Sequence, residues 1–166
     1  MRISWFVLVL VGLFALELIG PVREFVILPF TGFIAQISAA ITQLFDSSVQ
    51  SQGIILRNIN TGVAVSIQPG CNGVEAMICL TAAIIAFPAS WKSKIVGLFF
   101  GFLAIQILNI VRIISLFYLL QWNKEWFEWA HLYLWQALII LDALIVFIIW
   151  VRMLPEPEDN TEAQAT

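Results

Sequence analysis

Three residues of this 166-residue chain carry side chains suited to acyl chemistry, and they lie far apart in sequence: Cys71, Arg112 and His131. A thiol is a nucleophile, and an imidazole moves protons near neutral pH. A guanidinium stabilises a carbonyl oxygen as it becomes an oxyanion. His131 is the only histidine, and cysteine with histidine is the usual pairing for thiol acyl transfer. Each residue also has a plainer reading: a loop cysteine without chemistry, an arginine snorkelling to headgroups, an interfacial histidine among aromatic rings.

The local settings sharpen the first reading. Cys71 sits in Pro69-Gly70-Cys71-Asn72-Gly73-Val74-Glu75. Asn72 and Glu75 have the spacing of a capping box, which places Cys71 just before a helix N-terminus, where the helix dipole favours a thiolate. Glu75 is then a cap rather than an acid catalyst. Gln106, Asn109 and Arg112 recur every three residues and form one polar stripe on a helix, with Asn109 a candidate to orient Arg112. Asp142 shares a helix face with His131 but lies about 16 Å deeper. It is read as structural, with Gln106 as its hydrogen-bond partner. Cys79 lies eight residues beyond Cys71. On one helix the two are about 12 Å apart, too far for a disulfide. Cys79 is expected to be buried and inert.

The elements that position these residues follow from composition. Hydrophobic residues make up 61% and charged residues only 11%, and the mean hydropathy is +0.94. Soluble domains carry about 25% charged residues, so the solvent for this chain is a lipid bilayer. No basic cluster suggests nucleic acid, and no Cys/His spacing suggests a metal site. No cofactor is expected. The fold class is an all-α polytopic membrane protein. It has four firm spans at about 5–20, 74–87, 95–120 and 130–150. The segment 21–73 lies outside them, with a helix over 25–45 broken by Pro29 that reads as interfacial or re-entrant, a further span being the alternative, and a small β-hairpin over 54–67 turning at Asn60-Thr61-Gly62. Residues 1–154 read as one membrane-embedded domain. Residues 155–166, with Glu156, Glu158, Asp159 and Glu162, read as a disordered acidic tail.

Arg2, Lys92, Lys94 and Arg152 flank the spans on one side, and Arg23 and Lys124 on the other. The positive-inside rule puts the first set, and both termini, in the cytoplasm. Trp5, Trp91 and Trp150 mark that interface, and Trp122, Trp126 and Trp129 the outer one. Counting 1.5 Å per residue from these anchors gives about 32 Å for Cys71, 27 Å for Arg112 and 32 Å for His131. The hydrocarbon core is about 30 Å thick. All three residues therefore lie near the outer boundary, each on a different helix or helix end.

At these residues the chain resembles the exosortase/archaeosortase family of membrane transpeptidases. The matching pieces are Pro69-Gly70-Cys71-Asn72-Gly73, Asn109-Ile110-Val111-Arg112-Ile113, and His131 at the head of a later span. The resemblance covers roughly 68–150, and the short length looks like a compact member such as the exosortase H type. It implies that Cys71 is the nucleophile and that Arg112 and His131 are its catalytic partners. It also implies a site on the outer face of a bacterial inner membrane. The implied substrates are secreted proteins whose C-terminal sorting signal has a motif, a transmembrane helix and a basic end. These are cut through a Cys thioester and passed to an acceptor that the resemblance leaves open. Two readings compete. In a non-enzymatic transporter or assembly subunit, Arg112, His131 and Asp142 would form a polar relay, but a relay should place polar groups at several depths. A thiol redox protein would need a resolving cysteine, and Cys79 is poorly placed for that.

Overall fold

The computed structural model describes residues 3–154; the acidic tail read from the sequence lies outside them. Helix α1 is Ile3–Glu17 and helix α2 is Gly20–Gln43. Strands β1, β2 and β3 are Val49–Gln52, Ile55–Asn58 and Ala64–Ser66. Helices α3, α4 and α5 are Val74–Ala86, Trp91–Trp122 and Lys124–Arg152.

Among the described residues, three helices are long and apolar enough to cross a membrane: α2 with 24 residues, α4 with 32 and α5 with 29. This differs from the four spans expected. At 15 and 13 residues, α1 and α3 rise only about 22 and 20 Å, short of a 30 Å hydrocarbon core. Helix α2 was expected to be interrupted at Pro29, yet it runs on. A π-helical turn over Arg23–Ile27 precedes the proline. That wider turn shifts the hydrogen-bond ladder where the proline ring and its missing N–H would otherwise break it.

Helices α3, α4 and α5 share a core of Ala76, Leu80, Ile84, Ile105, Ile139 and Trp150. Glycine makes the close approach possible. A Cβ on Gly97 would collide with the Trp150 indole, and one on Gly101 would lie 3.2 Å from Val146 Cγ1. The Trp150 indole donates to the carbonyl of Ser93 at 2.9 Å, which pins the ends of α4 and α5 together. Helix α1 packs on α3 through Leu10 and Phe14 against Val74 and Ile78. Outward faces carry Phe99, Leu103, Ile107, Ile140, Leu144 and Ile148 in the open. An apolar surface of that extent is stable only against lipid.

The hairpin expected over 54–67 is present as β2 and β3, with Gly62 at φ +73 in its turn. The structure adds β1, giving an antiparallel sheet of order β1-β2-β3. Period-two alternation is weak in Val49-Gln50-Ser51-Gln52, so the sequence offered little signal for that strand. Val49, Leu56 and Ile67 pack with Ile34, Ala35 and Ala39 of α2 and with Ile113 and Phe117 of α4. Gln121 of α4 accepts from Asn58 and Thr61 at the hairpin end. The sheet is thereby fixed alongside the last three turns of α4.

Candidate active site

The loop between β3 and α3 carries Cys71. Pro69 and Gly70 occupy the central positions of a turn that the Cys71 N–H closes onto the carbonyl of Gln68 at 2.9 Å. Gly70 has φ +86, the value a type II turn requires at its third residue. Pro-Gly is therefore the reason the thiol is presented at a sharp corner. The Glu75 carboxylate accepts the N–H of Gly70. Asn72 accepts the N–H of Val74 at 3.1 Å and donates to the Thr31 hydroxyl of α2 at 3.1 Å. The capping box expected from the sequence does not form. Gly73, at φ +78, occupies the cap position of α3, and Glu75 ties the Cys71 turn instead of Asn72.

Three side chains converge at the turn. Cys71 Sγ lies 3.0 Å from His131 Nε2. Arg112 Nη2 lies 3.6 Å from the same sulfur, and Arg112 Nη1 donates to the Gly70 carbonyl at 3.2 Å. Arg112 is 2% exposed, and its Nε has no hydrogen-bond partner among the described residues. A buried cation is costly unless something of opposite charge faces it. The groups facing it here are the Gly70 carbonyl and the Cys71 sulfur, whose ionised form its charge favours. Burial pushes the Cys71 thiol above the usual cysteine range; Arg112 opposes the shift and Glu75 adds to it. Burial thus works against the thiolate that the helix end favours, while Arg112 works for it.

His131 owes its position to two features the sequence reading missed. A π-helical turn over Ala130–Leu134 surrounds it, and such turns re-aim side chains within a helix. Phe127 stacks flat on its ring, with centroids 5.7 Å apart and planes 2° from parallel. The available signal was Phe127 four residues before His131, one helical turn away.

The polar stripe on α4 is present but serves a different purpose at each position. Gln106 donates to the Asn72 carbonyl at 3.1 Å and so braces the loop, while Asn109 donates to Gln106 at 3.3 Å. Asn109 makes no hydrogen bond to Arg112 among the described contacts, and its Oδ1 is buried without a partner. Gln106 does not hydrogen-bond to Asp142, whose Oδ2 also has no partner among the described residues. Cys79, expected to be buried, is exposed on the surface of α3. A cavity of about 200 Å³ opens onto the three converging residues. Ser66, Gln68, Leu116 and Phe127 contribute to its walls.

Residues 1–151 match the family described as transmembrane exosortase (Exosortase_EpsH). The chain belongs to that family. Exosortases are membrane transpeptidases that act on C-terminal sorting signals, and a multi-pass membrane architecture agrees with the apolar helices seen here. No curated protein and no solved structure matches the exosortase chain.

Proposed function

We propose that this exosortase is a cysteine transpeptidase that uses Cys71, Arg112 and His131 to cleave C-terminal sorting signals of secreted proteins. Its place is the bacterial inner membrane, with the site on the outer side and both termini cytoplasmic. The observation that carries the reading is the 3.0 Å approach of Cys71 Sγ to His131 Nε2 beside a buried arginine on the same sulfur.

Chemistry follows from that arrangement. His131 Nε2 takes the thiol proton as Sγ bonds to the scissile carbonyl carbon. The carbonyl electron pair moves to oxygen, and Arg112 stabilises the oxyanion. Collapse breaks the C–N bond. His131 returns its proton to the leaving amine, and a thioester remains on Cys71. An acceptor nucleophile then attacks the thioester, passes its proton to His131, and frees the thiol. Asn72, Glu75 and, through Gln106, Asn109 brace the loop rather than touch the reacting atoms.

Depth agrees with this use. A substrate helix in the same bilayer presents its outer junction at the level of the three residues. The test is Cys71→Ala co-expressed with a secreted protein bearing a motif, a transmembrane helix and a basic end. Processing should stop while the variant stays in the membrane. Full processing by that variant removes the reading.

A further inference from the structure

Among the described residues, β3 ends the sheet order on one side and carries exposed residues there, and that edge leads to the site. The Ile67 N–H donates to Ile54 O and the Asn58 N–H to Val63 O, each at 2.9 Å. With the register Leu56↔Val65, these bonds turn the backbone groups of Val63, Val65 and Ile67 toward β2. Successive residues alternate, so the N–H and C=O of Ala64 and Ser66 point the other way. The sheet order makes that side of β3 an outer edge. Ala64 and Ser66 are both exposed.

Unpaired strand edges recruit extended peptides, with main-chain bonds supplying affinity that depends little on sequence. The edge is continuous with the cavity at Cys71, because Ser66 of β3 also lines that cavity and Gln68 just beyond the strand does too. Its direction also fits. Beside β3, the hairpin turn lies at the level of Gln121 and the far end of the loop at the level of Arg112. From one to the other is about 14 Å along α4. A substrate whose folded part is outside and whose C-terminal helix is in the bilayer runs the same way.

We propose that the segment before the scissile bond pairs with β3 as an added parallel strand, held by the N–H and C=O of Ser66, and that this pairing delivers the carbonyl to Cys71. The proposal rests on the cysteine transpeptidase reading above. It assigns backbone recognition to Ser66, and it makes alternate substrate amides, rather than all of them, important.

The test uses the full-length protein in detergent micelles and acetyl-tetra-alanyl chloromethyl ketone, with four further probes each N-methylated at one alanine. A parallel partner bonds through every second residue. Methylation at alternate positions should therefore slow alkylation of Cys71 about five- to tenfold, and at the positions between by less than twofold. In a Cys79→Ala background, Ser66→Pro should lower the rate with the parent probe relative to the rate with iodoacetamide, which is too small to pair with a strand, by a similar factor. If all four methylated probes react like the parent, the edge is not used, and the inference falls while the catalytic reading stands. If no adduct forms on Cys71, both fall. If Ser66→Pro turns a wild-type dimer into a monomer without slowing the probe, a second copy occupies the edge, which also overturns the inference.

Discussion

Arg112 Nη1 donates to the carbonyl of Gly70, the residue immediately before the nucleophile candidate Cys71, while Nη2 faces the Cys71 sulfur. One planar fork therefore holds the turn and faces the sulfur together. A lysine has one charged nitrogen on a flexible stem and cannot reproduce both contacts. Arg112→Lys should lower processing of a co-expressed sorting-signal protein by about 100-fold or more. Its amount in the membrane should be unchanged. Near-normal processing would show that charge alone suffices.

The electrostatics of Cys71 give a pH prediction. Burial raises its pKa, Arg112 lowers it and Glu75 raises it. At a fixed pH, a higher pKa means less thiolate and slower alkylation. In a Cys79→Ala background, the midpoint of Cys71 alkylation against pH should lie above that of an ordinary thiol. Arg112→Gln should move it up and Glu75→Gln should move it down. The glutamine keeps an acceptor for the Gly70 N–H, so a shift from Glu75→Gln reports charge. A midpoint that rises in Glu75→Gln contradicts this account.

Gly73 combines two demands. Its φ is +78, and an added Cβ would lie 2.7 Å from Gln106 Nε2. Gly73→Ala should cost about 1–3 kcal/mol of stability and at least tenfold in processing, because the brace from Gln106 to the Asn72 carbonyl must shift. Gly62 has a similar φ of +73 with open space around it. Gly62→Ala should lose some stability through backbone strain alone and keep its processing. Thermal unfolding in detergent and a processing assay together separate the two effects.

Legibility in the sequence divides along physical lines. Depth was readable because helical rise is constant, so residue counting placed Cys71, Arg112 and His131 at one level. Their lateral meeting was not readable. It depends on packing between α3, α4 and α5, and on a π-helical turn at His131 that has no strong local signature. The hairpin was legible from alternation and an Asn-Thr-Gly turn, whereas β1 was not. Pro29 misled because a π-helical turn upstream absorbs it. Glu75 misled for a related reason. Capping-box spacing assumes a helix starting at Asn72, and the positive φ of Gly73 starts it one residue later, freeing the carboxylate to hold the Gly70 N–H.

The central claim is that Cys71 carries the acyl group. Its most direct test is mass spectrometry of the purified protein after brief co-incubation with a sorting-signal substrate, quenched in acid. An adduct is expected on the Cys71 peptide, with the mass of the cleaved N-terminal portion, labile to neutral hydroxylamine and absent in Cys71→Ala. Substrate cleavage without any adduct, continuing in Cys71→Ala, would contradict it.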